Sequence, residues 1–160
     1  MYVLDANIFI QYNRAHYGLD FVPAFWDWLD QAFAAGEVCS IQPIGAEIAA
    51  GKDDLTTWAA TRPGLFLPMD ATCAPSLTAL ASWSSSGHFT PGAVNTFLAS
   101  GDYPLVAYAA AHRHTVVTME ISEPLRKNKV KIPEACVAHR VPWMTPFSML
   151  RAESARFVLP

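Results

Sequence analysis

Two rhythms of apolar residues alternate along the chain. Tyr2 to Leu4, Val38 to Ile41 and Thr115 to Thr118 are short runs of consecutive or β-branched apolar positions, which predict strands buried on both faces. Between them, apolar residues return every three or four positions. Val22, Phe25, Trp26, Leu29 and Phe33 predict an amphipathic helix over 22–35, ended by Gly36. The same reasoning predicts helices over 7–14, over 43–50 (opened by Pro43 and stopped at Gly51) and over 54–61 (closed by Pro63 and Gly64). It also predicts helices over 70–83, 91–98 and 104–113. A short extended piece is expected at 65–67, a loop at 84–87, and polar, irregular chain over 121–132. A short helix at 133–139, a strand at 141–144 and a last helix opening at Thr145-Pro146 complete the pattern.

Strands alternating with helices indicate an α/β class with a mainly parallel sheet in a single domain spanning 1–160. The stretch 52–100 holds no strong strand signal and is expected to be a helical insertion over one sheet edge. At 52% hydrophobic and 16% charged residues, the chain can fill a core and is not a disordered segment. No apolar run approaches the roughly 20 residues of a membrane span. Asp5 interrupts the first apolar residues and no basic region precedes them, so no signal peptide is expected. These features predict a soluble, cytoplasmic protein. Cys39, Cys73 and Cys136 form no CxxC pair and are expected to be reduced and buried, with no zinc site. The five histidines lack metal spacing, and His112 and His114, two apart, are expected either to face differently on a helix or to sit in the turn after it.

A net charge of −3 conceals an asymmetry. Residues 1–111 carry three basic and ten acidic side chains, a net of −7, whereas residues 112–160 carry eight basic and four acidic, a net of +4. Arg126, Lys127, Lys129 and Lys131 form the densest basic cluster. Such a cluster reads either as a solvated loop or as a track for a phosphate backbone.

In an open α/β sheet, ligands bind beyond the carboxyl ends of the strands. Asp5 follows the first strand there, and Glu120 follows the 115–118 strand. Asp102 opens a helix that runs antiparallel to that strand, which returns it to the same edge. Glu47 lies about 6–8 Å along the helix after the second strand, about 60° from Ile44 and beside the apolar stripe. Taken singly, Asp5 and Asp102 read as helix N-caps, Glu47 as a surface residue and Glu120 as a loop acid. Four acids meeting at one edge repel one another unless a cation lies between them. Carboxylate oxygens suit hard divalent ions, which support phosphodiester hydrolysis. Asn7 stands two residues after Asp5, where its amide can orient a carboxylate.

These residues carry a resemblance. YVLDANIFI (Tyr2 to Ile10), IGAEIAAG (Ile44 to Gly51) and GDYPLVAYAAAHRHTVVTME (Gly101 to Glu120) resemble the acid-bearing segments of PIN-domain ribonucleases. The FWDWL and LRKNKVKIPEAC stretches resemble a bacterial PIN-like subgroup related to VapC toxins. The resemblance is weakest over 52–100 and departs mildly at Glu120, where many relatives carry aspartate. It implies a three-layer α/β/α PIN fold and RNA hydrolysis by metal-activated water. It implies Mg²⁺ or Mn²⁺ held by Asp5, Glu47, Asp102 and Glu120, with Asn7 as a helper and Arg126, Lys127, Lys129 and Lys131 beside the RNA. It further implies a homodimer neutralised by a protein antitoxin, for which the tryptophans leave room for an aromatic interface. A phosphohydrolase with Asp5 as nucleophile fits less well, because Asn rather than Asp stands at position 7, and a receiver-type module finds no match. The non-enzymatic alternative is a PIN scaffold that binds RNA or protein without cutting.

Overall fold

The computed structural model describes residues 1–158. Its central sheet has five parallel strands, β1 (Tyr2–Leu4), β2 (Val38–Ile41), β3 (Phe66–Leu67), β4 (Thr115–Val117) and β5 (Trp143–Met144), in the spatial order β3-β2-β1-β4-β5. Val3, Leu4, Val38, Ile41, Val116 and Val117 are almost fully buried, as expected of strands covered on both faces. The helices that cover them are α1 (Ala6–Gln11), α2 (Pro23–Ala34), α3 (Gln42–Ala49), α4 (Asp54–Ala60), α5 (Ala74–Ser84), α6 (Pro91–Ala99), α7 (Asp102–His112), α8 (Ile132–Ala138) and α9 (Pro146–Ala152). The result is the three-layer α/β/α arrangement of a PIN-like fold.

Most predicted elements stand where the pattern put them, and three differ. The first helix ends at Gln11 and continues as a π-helical turn over Tyr12–His16. This wider turn seats the Tyr12 ring edge-on against Tyr17 and Phe25 in the core. The 52–100 stretch is not purely helical: Ser40 pairs with Phe66 and Ile41 with Leu67, so β3 closes one edge of the sheet. Two residues are too few to show a strand period, and only the partner strand defines this one. The last strand is confined to Trp143–Met144 rather than 141–144.

All three cysteines are free and buried, as expected. Trp26 and Trp58 belong to the core, and Trp28, Trp83 and Trp143 pack against it. Among the described residues, no helix is long and apolar enough to cross a membrane.

Strand order reverses direction beside β1, since the chain moves outward through β2 and β3, then returns to β4 on the other side and continues to β5. The carboxyl ends of β1 and β4 therefore border the crevice where an open parallel sheet binds ligands.

Candidate active site

Register brings the first acid to this crevice. Leu4 lies opposite Val117, so the next residues, Asp5 and Thr118, emerge side by side. The Asp5 backbone N–H donates to Val117 O at 3.1 Å, and the Thr118 hydroxyl donates to Asp5 Oδ2 at 2.9 Å. Asp5 precedes α1 but makes no side-chain cap bond, so its carboxylate is not spent on the helix. The residue is 1% exposed, and its Oδ1 is buried without a hydrogen-bond partner. An uncompensated buried carboxylate oxygen is costly. Burial pushes the Asp5 pKa up to about 6; the Thr118 bond opposes this, and Glu120 and Glu47 add to it.

Asp102 comes from the opposite direction. It is the first residue of α7, while Gly101 occupies the cap position and offers no side chain. Burial pushes its pKa up to about 7, with further increments from Asp5, Glu120 and Glu47, partly offset by Lys129. The capping interpretation of Asp5 and Asp102 thus fails for both residues, and both carboxylates turn toward one another's field.

Glu120 is held from two sides. Its Oε1 accepts from the Lys129 ammonium at 2.5 Å, and its Oε2 accepts from the Ile132 backbone N–H at 2.7 Å. The Glu120 N–H in turn donates to the Thr118 hydroxyl at 3.1 Å. Glu47 is exposed on α3 and reaches toward α7: a Cβ added at Gly101 would stand 3.5 Å from its Oε2 and 2.8 Å from Ile44 Cδ1. The missing side chain at position 101 keeps this approach open. The Asn7 amide stands 3.5 Å from Asp5 Oδ2, a long contact.

The four acids act on one another electrostatically, but among the described residues no three of them bring ligand oxygens within 4.8 Å of one another. An orphaned buried oxygen, two carboxyls raised toward neutrality and an all-oxygen donor set fit a hard divalent cation. The Lys129 charge acts on both Glu120 and Asp102.

The basic cluster is divided. Arg126 pairs with Glu123 and donates to Asn128 Oδ1. Lys131 is 9% exposed, with its ammonium bound to Ile121 O and paired with Glu123. Lys127 is exposed. Arg126, Lys129 and Lys131 line a polar recess of about 410 Å³ together with Asn7, Gln11 and Glu120.

Two features escape the sequence pattern. Thr118 is the hinge between Asp5 and Glu120, and the Thr-x-Glu spacing at a strand end is the trace it leaves. His112 ends α7 and His114 lies in the turn after it, as the second alternative had it; with Arg113 between them in a left-handed conformation, the two rings lie 5.8 Å from each other and nearly parallel. His112 also meets Asp70 and Cys73, a grouping of ligand atoms within 4.8 Å that their spacing in the sequence does not reveal.

A family model described as a domain of unknown function (DUF4411) matches residues 2–157. Comparison with curated proteins gives no match. Among solved structures, the crystal structure of FitAcB from Neisseria gonorrhoeae is similar, with 19% identity, a TM-score of 0.57, and coverage of 92% of this chain and 99% of that one. At this identity, the likeness concerns the fold.

Proposed function

The chain belongs to the DUF4411 family, and we propose that it is a metal-dependent endoribonuclease, the toxin of a toxin–antitoxin pair, with Asp5, Glu47, Asp102 and Glu120 as its metal site. The observation that carries this reading is the buried, partnerless Oδ1 of Asp5 at the sheet's switch point, in a carboxylate that feels the charges of Glu120 and Glu47 and acts on Asp102. A site that only bound RNA would have no use for a cluster of anions that repels phosphate.

Mg²⁺ or Mn²⁺, when bound, supplies Lewis-acid stabilisation of the phosphodiester and activation of water. The chain's own residues prepare the place. Thr118 fixes one Asp5 oxygen and leaves the other free. The Ile132 N–H and Lys129 hold Glu120 extended along the recess. Lys129, which lines the recess beside Glu120, offers a cation for a phosphate backbone, and Lys127 adds an exposed one in the same basic segment. A protein antitoxin and self-association belong to the same reading, supported by the exposed apolar side chains of Ile121, Leu125 and Val137.

Single-stranded and structured RNA incubated with the protein in Mg²⁺, Mn²⁺ or EDTA tests the proposal. Cleavage is expected only with metal, and Asp102→Ala and Asp5→Asn are expected to abolish it while circular dichroism stays unchanged. Metal-independent cleavage, or wild-type rates in both variants, would sink it. Absence of both cleavage and metal binding would favour a non-catalytic scaffold.

A further inference from the structure

We propose a second metal site, for a thiophilic divalent ion of the zinc class, at Asp70, Cys73 and His112. It goes beyond the nuclease reading and does not depend on it. The three ligand atoms lie within 4.8 Å of one another. His112 Nε2 is 3.0 Å from Asp70 Oδ2 and 4.0 Å from Cys73 Sγ, and Sγ is 3.7 Å from Asp70 Oδ1.

Local structure explains how such a set forms without a recognisable motif. Residues Ala71–Cys73 make a 3₁₀ turn, in which positions three apart eclipse, so Asp70 and Cys73 share one side of it. His112 is the last residue of α7, which packs along α5 and this turn. The Tyr108 ring, 4.3 Å from the His112 ring, walls the imidazole on one side.

The distances match a coordination shell. A tetrahedral zinc ion with Zn–S of about 2.3 Å and Zn–N of about 2.0 Å holds sulfur and nitrogen about 3.5 Å apart. The sulfur–nitrogen gap needs to close by only about half an ångström to reach this. Without a metal, His112 Nε2 pairs with Asp70 Oδ2 while the Thr72 hydroxyl and the Cys73 thiol donate to Asp70 Oδ1, so the three ligand side chains are already gathered around one point. Thiolate, carboxylate and imidazole together neutralise a divalent ion. Cys73 is 0% exposed whereas the Asp70 side chain is 45% exposed, so the ion reaches the sulfur from the Asp70 side, and water fills the fourth position. The site is separate from the acid cluster. Asp102 and His112 stand at opposite ends of α7, about 15 Å apart along its axis. A metal here staples the 3₁₀ turn to the end of the helix that carries Asp102.

Cobalt is the probe. Full-length protein stripped of metal and titrated with Co²⁺ is expected to develop a thiolate-to-cobalt charge-transfer band in the near ultraviolet, whose amplitude corresponds to one thiolate-bound ion per chain and which Zn²⁺ displaces, whatever further Co²⁺ the carboxylates take without such a band. The band should persist in Asp5→Asn and in a Cys39→Ser, Cys136→Ser double variant. It should vanish in Cys73→Ser, and His112→Gln, which leaves the buried thiol in place, should weaken binding at least about tenfold. A missing band in the wild type, a band that survives Cys73→Ser, or Co²⁺ affinity unchanged by His112→Gln would overturn the proposal.

Discussion

Asp5 shows how one buried carboxylate links stability to function. A carboxyl whose folded pKa is raised keeps its proton in the native state at a pH where the unfolded chain has released it. Its stabilising contribution is therefore complete below pH about 4 and is lost as pH rises through about 6, with Asp102 extending the window to about 7. A displacement of the size of Asp5's corresponds to about 3 kcal/mol. In EDTA, denaturant midpoints are expected to show Asp5→Asn gaining stability over the wild type at pH 8 but not at pH 4. Added Mg²⁺ should raise the wild-type midpoint and leave the variant's unchanged. Thr118 supports the same carboxylate by donating to its ionised form. Thr118→Val should reduce RNA cleavage about 10- to 100-fold, with a smaller loss in thermal midpoint, measured as kcat beside a melting curve.

Helices bring the remaining acids to the sheet edge, and their packing sets the tolerances. α3 and α7 meet where Gly101 lets Ile44 and the Glu47 carboxylate approach the start of α7. A methyl at 101 would meet Ile44 Cδ1 at 2.8 Å, closer than carbon atoms pack. Gly101→Ala is expected to cost about 1–3 kcal/mol in unfolding free energy, as overpacking does, and to weaken Mn²⁺ binding by displacing Glu47 from Asp102. Isothermal titration beside urea unfolding measures both. At this scale most of the fold was legible. The helix over 22–35 and the strand at 38–41 stand within a residue of expectation, because five apolar positions at helical spacing and four consecutive buried residues have few alternative structures. The π-helical turn at Tyr12–His16 left no local signal, since aromatic packing determines it, whereas the extended piece expected at 65–67 is the edge strand β3, whose place in the sheet only its pairing with β2 decides.

Over the whole molecule, the charge asymmetry resolves into pairing. Lys129 engages Glu120 within the basic last part and meets the acidic first part at the site, where its charge also acts on Asp102. Arg126 and Lys131 are both paired with Glu123. Phosphates approaching this face must compete with carboxylates already in place. The affinity for single-stranded RNA is therefore expected to fall with salt at a log–log slope of about −1 to −2. Four free cations would give about −3. Filter binding of the Asp102→Ala protein across salt concentrations measures the slope without cleavage, and a slope near −3 would mean that the basic cluster releases its acids to bind RNA.

The sequence by itself determined the α/β class, the burial of its cysteines and the order of four acids along the chain, because hydrophobic period and turn residues are local properties. The single-residue roles lay beyond it. Only tertiary structure decided that Asp5 keeps an unpartnered oxygen, that Thr118 joins Asp5 to Glu120, that Lys131 is buried, and that Asp70, Cys73 and His112 converge. Each of these depends on strand register, helix contact or a left-handed residue between two elements. The free energy of a buried charge or a ligand set is set by neighbours distant in sequence, which no local pattern encodes.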